Sequence, residues 1–407
     1  MVTEALSMSL TSKREYLVKI YGRYQRAGRL HKSRILDEFC LNCGYHRKAA
    51  LRLLNRPLRL GASKRSGPKV IYDPVELLPV LKQVWLASDQ LCSKLLKHAL
   101  PEWLEHQERR GAPLPEAFKE KLLAISPAQL DRLLKPVRVR YPRKGLGTTR
   151  PGTLLRGQVP TRGGPPDTSN PGWVEADTVA HCGDTTAGDY VNSLTFTELF
   201  SGWTENRAVW NKSSHAILEQ LKALEAAAPF PLKNFHTDNG SEFLNWALYE
   251  HLTGRRLKVP FTRSRAYRKN DNAHCEQKNW THVRQLFGHD RFEHAQLVPL
   301  MNDLYAQEWS QFTNHFKPTF KLWRRDKRGS KTLRVYEPIP QTPYQRLLTS
   351  PDLDEATKTK LRQEHALLDP FELKKNIERK LKNFFTVLGN LNCEATKTLT
   401  APPQSNI

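Results

Sequence analysis

The stretch HTDNGSEF, residues 236–243, decides how the central part of this chain is expected to fold. It follows a short strand pattern at residues 232–236, so Asp238 stands where a strand ends and a loop begins. Glu276 follows 38 residues later, in the first turn of a helix that begins within NDNAHCEQKN at residues 270–279. Asp177 precedes Asp238 by 61 residues and lies in the middle of another strand pattern. The three acids are far apart in sequence, so only a folded sheet could bring them together.

The elements around these acids predict an α/β domain. Three strand patterns come first, at residues 172–179, 190–199 and 204–210, and predict an antiparallel meander. A helix capped by Ser213 or Ser214 then runs to about residue 227. The later elements are a strand at 232–236, a helix at 242–251, a strand near 257–261 and a helix at 273–287. This order is that of the ribonuclease-H-like fold, with a mixed five-stranded sheet and flanking helices.

Carboxylates are the side chains that hard divalent cations prefer, and Mg²⁺ usually takes one or two of them together with substrate phosphate. Two such ions, about 3.5–4 Å apart, can activate an attacking oxygen and stabilise a leaving one. Three acids are enough to hold such a pair. The sequence therefore predicts Asp177, Asp238 and Glu276 as catalytic residues and as ligands of Mg²⁺ or Mn²⁺, with two ions expected.

The same stretches resemble the motifs of DDE transposases that have a retroviral-integrase-like catalytic core. Residues 236–243 look like that family's second-Asp motif, residues 269–279 like its Glu motif, and residues 173–178 like its first-Asp strand. The resemblance covers roughly residues 171–325, and the upstream helices resemble the layout of bacterial insertion-sequence transposases. It implies that activated water cleaves a phosphodiester at a transposon end, that the freed 3′-OH attacks target DNA, and that a dimer or tetramer acts.

Two features depart from the family pattern. The separation of Asp238 and Glu276 is slightly longer than is common, which suggests a small insertion near Gly254 or Arg265. Glu175 shares a strand face with Asp177, so the first ligand could be either acid, although Asp177-Thr178 matches the family motif. The remaining nearby acids are interpreted as turn or surface residues: Asp184, Asp189, Glu242 and Asp271.

The composition indicates a polyanionic partner. The chain has 407 residues, with 64 Lys and Arg against 41 Asp and Glu, for a net charge of +23. Eight basic residues and no acid lie at 41–70, and nine basic residues and no acid lie at 132–166. Nucleic acid is the first candidate partner and an anionic membrane surface the second. No apolar stretch is long enough for a membrane span, no signal peptide is evident, and the six cysteines suit a reduced cytoplasm.

The N-terminal region predicts a helix-turn-helix. Helical spacing begins near Tyr16, with Gly28 available to end the first helix. A second helix is expected at 32–40, a turn at 41–44 and a basic third helix at 45–55. The start of such a third helix meets base edges. The predicted DNA-binding residues here are Tyr45, His46, Arg47, Lys48 and Arg52. A plain three-helix bundle remains the alternative, and a zinc site of His31, Cys40, Cys43 and His46 is disfavoured because a second Cys pair is missing.

A second helical unit is expected at 66–141, helical around 77–100 and ending in a helix capped by Ser126. A basic linker that could follow a DNA backbone comes next. Further DNA contacts are predicted at Arg138, Arg140, Arg143 and Lys144. Lys278 and Arg284, on the helix of Glu276, are equally well explained by phosphate contacts or by a solvated face.

The C-terminal region predicts helices, a small β-module and a helical tail. The aromatic residues of these helices are expected to be buried or to stack on DNA, with burial favoured: Trp309, Phe312, Phe316 and Trp323. The predicted domains are 1–65, 66–141, 142–170, 171–325, 326–350 and 351–407. The expected function is a cytoplasmic transposase that binds double-stranded DNA, with no membrane association and no small-molecule cofactor. Two alternatives stay open: a nuclease of the same fold that does not join strands, and a non-catalytic DNA-binding regulator.

Overall fold

The structure is a computed structural model, and it describes residues 8–58, 71–111, 113–141, 166, 168–238, 240, 242–265, 273–329 and 331–400. The chain packs as two compact units, Met1–Ile71 and Tyr72–Ile407. Most of the predicted basic linker at 142–170 lies outside the described residues. In the part of the chain that the structure describes, no helix is long and apolar enough to cross a bilayer.

Three helices form the described part of the first unit. They are α1 (Leu10–Arg26), α2 (Arg29–Cys43) and α3 (Arg47–Asn55). Apolar side chains from all three meet in one core, which includes Ile20, Phe39 and Leu54. The predicted all-helical N-terminal region is therefore confirmed, whereas its role in reading DNA stays a prediction.

The turn between α2 and α3 is shorter than predicted. Helix α2 runs through Cys43 and ends at Gly44, whose left-handed φ of 69° costs a glycine little. Helix α3 starts at Arg47 and not at Tyr45, because His46 caps it by accepting a hydrogen bond from the Lys48 amide at 3.4 Å. Tyr45 packs on the Phe39 ring at 5.6 Å instead of heading the helix.

Four helices open the second unit. They are α4 (Pro74–Ala87), α5 (Ser93–Arg110), α6 (Glu116–Ala124) and α7 (Pro127–Arg138). The predicted helical character around 77–100 is confirmed by α4 and α5, which are separated where Asp89 and Gln90 take positive φ values of 59° and 56°. The predicted cap is confirmed: Ser126 accepts from the Gln129 amide, and Pro127 opens α7.

The sheet has five strands. They are β1 (Trp173–Ala180), β2 (Val191–Glu198), β3 (Thr204–Trp210), β4 (Asn234–Thr237) and β5 (Phe261–Arg263). Their spatial order is β3-β2-β1-β4-β5. Strand β2 pairs antiparallel with β1 and β3, whereas β4 pairs parallel with β1 and β5. The predicted mixed five-stranded sheet is therefore confirmed.

Helices flank this sheet. They are α8 (Ser214–Ala227), capped by Ser213 as predicted, α9 (Trp246–Thr253), and a continuous helical segment made of α10 (Ala273–Lys278), a π-helical turn (Asn279–Arg284) and α11 (Gln285–Phe287). The prediction that a helix starts at Glu242 is wrong, because α9 begins four residues later with Asn245 as its cap. Ser241, which precedes the predicted start of this helix, lies outside the described residues.

The C-terminal region adds helices and one hairpin. It contains α12 (Leu297–Leu304), a π-helical turn (Tyr305–Trp309), α13 (Ser310–Phe316), β6 (Leu322–Arg328), β7 (Lys331–Tyr336), α14 (Pro343–Thr349), α15 (Glu355–Leu367) and α16 (Pro370–Thr400). Trp309, Phe312 and Phe316 are buried as expected, but Trp323 is 67% exposed, so its predicted burial is wrong.

The helices α4–α7 share one hydrophobic core with these C-terminal helices. The ring of Trp103 on α5 meets Phe312 on α13 at 6.3 Å and Phe371 on α16 at 5.0 Å. Residues 72–141 therefore do not pack as a separate body, in contrast to the predicted division at residue 141.

Gly172 sets the start of the central strand. Its carbonyl accepts hydrogen bonds from the amides of Lys233 at 2.8 Å and Asn234 at 3.1 Å, which joins the entries of β1 and β4. Its φ of +116° is rarely adopted by other residues, and a Cβ there would lie 2.5 Å from the Pro231 carbonyl oxygen. The backbone at this junction therefore requires glycine.

Replacing Gly172 with Ala should destabilise the second unit by about 1–3 kcal/mol, through strained φ and the collision with Pro231. Thermal unfolding followed by circular dichroism measures the effect. Gly389→Ala is the matched control, since that position lies within α16 with open space around it and Ala favours the helix by up to about 1 kcal/mol. Equal melting temperatures for the two variants would contradict this account of Gly172.

Candidate active site

Two of the predicted acids lie side by side at one edge of the sheet. The parallel register pairs Ala176 of β1 with Thr237 of β4, so its continuation places Asp177 next to Asp238. Neighbouring strands are separated by about 4.8 Å, which brings the two carboxylates into one site. The pairing of β1 with β4 thus joins residues that are 61 positions apart in the sequence.

Asp177 is held by hydrogen bonds to both carboxylate oxygens. The Thr178 amide donates to Oδ1 at 2.8 Å, and Asn279 Nδ2 donates to Oδ2 at 2.7 Å. Asn279 was not identified from the sequence. Its position in the sequence could have indicated its role, because a residue three positions after Glu276 lies on the same side of the helix as Glu276.

Glu242 is the second residue that the sequence interpretation missed. It was interpreted as a turn or surface acid, but it is only 7% exposed and accepts a hydrogen bond from Thr178 Oγ1 at 2.6 Å. Gly240 lies close to both carboxylates, and its amide donates to Asp238 Oδ1 at 2.9 Å. A Cβ on Gly240 would lie 2.7 Å from Glu242 Oε2 and 2.9 Å from Asp238 Oδ1. Three acids therefore crowd this strand end, and Glu242 belongs to the site.

Lys212 neutralises Glu242. Its Nζ lies 2.7 Å from Glu242 Oε1 and also donates to Thr178 Oγ1 at 3.2 Å. Lys212 lies two residues after the end of β3, which runs parallel to β1 because each is antiparallel to β2. Its position after a strand that ends at the same sheet edge was the signal that could have revealed it.

Glu276 is brought over the sheet by its neighbour in α10. Cys275 is fully buried, and its Sγ donates to the Thr195 carbonyl on β2 at 3.0 Å. Glu276 itself is exposed in the first turn of α10. Cys275 thus packs against the sheet, and the next residue, Glu276, lies at the surface above it.

The electrostatics separate the acids into two kinds. Desolvation, followed by the charge of Asp238, raises the pKa of Asp177 to about 8, and the charge of Glu276 adds to this shift. Desolvation also raises the pKa of Asp238 to about 6, with contributions from Glu242 and Glu276. Burial alone would raise the pKa of Glu242, but the charge and hydrogen bond of Lys212 outweigh it and lower that pKa. Burial and mutual repulsion therefore disfavour the ionised forms of Asp177 and Asp238, whereas Glu242 is paired with Lys212.

A divalent cation fits the chemistry of Asp177 and Asp238. Both are oxygen donors of the kind that Mg²⁺ prefers, and their mutual repulsion is what a bound cation would relieve. Within the described ranges, no three His, Cys, Asp or Glu side chains are grouped closely enough to hold one metal ion. A complete metal site would need the side chain of Glu276, which is exposed, to move closer to the two aspartates.

One relative aligns with most of this chain. The uncharacterized protein y4rM of Sinorhizobium fredii is 37% identical over 338 residues, which cover 82% of this chain and 95% of that protein. The chain belongs to the y4rM family. No family model matches the sequence.

Solved structures similar to this member of the y4rM family come from retroviral integrases. The simian T-cell lymphotropic virus intasome in complex with the PP2A regulatory subunit B56 gamma matches at 14% identity and a TM-score of 0.30, over 61% of this chain and 76% of that one. The dimeric HTLV-2 integrase catalytic core domain with magnesium matches at 16% identity and a TM-score of 0.26, over 40% and 93%. Likeness at such TM-scores is too low to support a fold or a function.

The basic residues predicted to contact DNA occupy varied environments. Arg284 donates to the carbonyls of Ala180 at 2.9 Å and Gly288 at 3.3 Å. Its guanidinium group therefore stabilises the fold and does not simply point into solvent. Lys278 is half-buried, and desolvation lowers its pKa to about 8. Arg138 donates to Asp131 at 2.6 Å and to Ser93 at 2.8 Å, whereas Arg140 is exposed.

In the first unit, Arg47 is paired with Asp37 and donates to Ser33 Oγ at 3.0 Å, whereas Lys48 and Arg52 are exposed on α3. Arg143, Lys144 and Asp271 lie outside the described residues. The contacts of this region with DNA remain predictions.

The raised pKa of Asp177 predicts how the metal-free protein responds to pH. A folded pKa of about 8, against 3.8 for the ordinary group, means that the folded state binds the proton more tightly. This stabilisation is complete below about pH 4 and is lost as the pH rises through about 8. In EDTA at pH 8.5, Asp177→Asn should therefore melt several degrees above the wild type, and the difference should vanish near pH 4. Exposed Asp184→Asn is the control, and a lower melting temperature for Asp177→Asn at pH 8.5 would contradict the prediction.

Breaking the ion pair of Lys212 should leave Glu242 buried with its charge uncompensated. Lys212→Met is expected to cost about 1–2 kcal/mol, less than for a fully buried pair because the Lys212 side chain is 32% exposed. Adding Glu242→Gln should recover most of this loss, since the neutral amide can still accept from Thr178. Urea unfolding of the two variants, with exposed Lys222→Met as control, measures both changes. A double variant less stable than Lys212→Met would disprove the pairing.

Proposed function

We propose that this member of the y4rM family is a DNA-cleaving and DNA-joining enzyme, a transposase whose sheet is of the ribonuclease-H-like, integrase-like type. One observation carries the proposal: the parallel pairing of β1 and β4 sets Asp177 beside Asp238 at a strand end, below a helix that presents Glu276. The strand order β3-β2-β1-β4-β5 with β2 reversed is the order that this fold implies.

The charge of the chain supports DNA as the substrate. A net charge of +23 favours a polyanion, and exposed Lys48 and Arg52 on α3 are placed to contact it. The three-helix first unit would bind the transposon ends, and the carboxylate site in the second unit would carry out the chemistry. A dimer or tetramer is part of the proposal, because joining requires two DNA ends to be held together.

Each side chain of the site has a proposed task. Asp177 and Asp238 would bind the divalent cations, with Glu276 completing the set. Bound cations would lower the pKa of water and stabilise charge on the phosphodiester oxygens. Asn279 fixes the rotamer of Asp177 through its 2.7 Å hydrogen bond. Lys212 holds Glu242 and Thr178 in place, which limits the negative charge that surrounds Asp238. We assign Lys212 and Asn279 as positioning residues.

A strand-transfer assay tests the proposal. Full-length protein is incubated with Mg²⁺ or Mn²⁺, plasmid target and labelled duplexes that carry the terminal sequences flanking its gene. The wild type should yield cleaved ends and joined products, whereas Asp177→Asn, Asp238→Asn and Glu276→Gln should yield neither, because each loses a cation ligand. Asp184→Asn, which replaces an exposed acid on a turn, should retain full activity.

Other outcomes of the assay separate the alternatives. Cleavage without joined products would favour a nuclease of the same fold. Full activity in all three carboxylate variants would overturn the proposed site. End binding without cleavage by the wild type, over a range of metals and duplexes, would favour a DNA-binding regulator.

A further inference from the structure

Strands β6 and β7 form a hairpin that stands away from the core. Residues 322–336, here called the hairpin arm, include Trp323, Leu333 and Tyr336, which are 67%, 48% and 47% exposed. The strands contact each other and few other elements. An isolated two-stranded hairpin is at best marginally stable in water, and this one has solvent on both faces along most of its length. Such an arm has surface available for a partner.

The base of the arm is fixed to the second unit. The Glu337 amide donates to the Lys321 carbonyl at 2.9 Å, and Lys321 Nζ donates to the Phe200 carbonyl at 2.8 Å. Glu337 also pairs with buried Arg346 at 3.0 Å. The arm therefore has a defined direction, although its strands extend into solvent.

One face of the arm is wholly basic or neutral. The register places Arg325 opposite Arg334 and Lys327 opposite Thr332, so these four side chains share a face. Like charges directly across a strand pair destabilise a hairpin. The ion pair that the structure describes within the arm joins Arg324 and Asp326 at 3.1 Å, on the other face. Repulsion between Arg325 and Arg334 therefore persists until an anion binds.

The charge of the arm selects its partner. The arm contains six basic residues and one acid, so a second copy of the same arm would be repelled. Duplex DNA supplies regularly spaced phosphates, and its major groove admits a two-stranded β-ribbon. We propose that the hairpin arm binds duplex DNA, with Arg325, Lys327 and Arg334 against the phosphate backbone. This inference shares with the proposed function only the premise that DNA is the partner.

The test is the salt dependence of DNA binding. Fluorescence anisotropy of a labelled 30-base-pair duplex of mixed sequence is measured with full-length protein in EDTA, from low to moderate salt. The triple variant Arg325→Gln, Lys327→Gln and Arg334→Gln should bind roughly tenfold more weakly. Its slope of log affinity against log salt should flatten by about 0.9 for each lost phosphate contact.

A matched variant removes the same charge elsewhere in the second unit. Lys360, Lys375 and Lys382 are exposed on α15 and α16, and their replacement by Gln should leave the slope close to that of the wild type. Identical slopes for the two triple variants would overturn the proposal, as would a changed oligomeric state in sedimentation with unchanged DNA binding. Because EDTA removes divalent metal ions from the assay, the measured DNA binding does not depend on the proposed catalytic activity. If the hairpin arm binds DNA but the protein does not cleave DNA, only the proposed enzyme activity is refuted.

Discussion

The parallel pairing of β1 with β4 is the constraint on which the rest of the candidate site depends. It aligns Ala176 with Thr237 and so sets Asp177 and Asp238 next to each other. The backbone of Gly172 joins the entries of the two strands, where a side chain would collide with Pro231. Because successive side chains of a strand point to opposite faces, a slip of one residue would turn Asp177 away from Asp238. The formation of the candidate site therefore depends on the register between β1 and β4.

Bringing like charges together costs free energy, and the protein offsets only part of it. Lys212 compensates Glu242, and Asn279 donates a hydrogen bond to Asp177. Asp177 and Asp238 are left repelling each other in a partly desolvated site, which is the condition that a bound cation relieves. Folding stability and the proposed cation binding are thus opposed at the same two residues, and perturbed carboxylates of this kind are common at functional sites.

The second unit combines a closely packed interior with an arm that is hardly packed at all. Trp103 of α5 meets rings from α13 and α16, so helices distant in sequence share one core. The hairpin arm departs from this core between α13 and α14, with Trp323 in solvent. A basic arm outside this core would suit the proposed DNA substrate, which is much larger than the candidate site, because the proposed binding and chemistry would then be carried by separate surfaces.

The sequence by itself determined the local elements and the three candidate acids. Strand β3 and helix α8 with its Ser213 cap match their predicted bounds, since alternation and capping are local signals. The predicted start of α9 was wrong, and the core that α4–α7 share with the C-terminal helices was not foreseen, because loop closure and shared burial depend on distant residues. Only the tertiary structure revealed that Glu242 is buried and paired with Lys212, 30 residues away. Charge compensation between such residues is set by strand register and burial, and neither quantity is encoded in the spacing of the residues concerned.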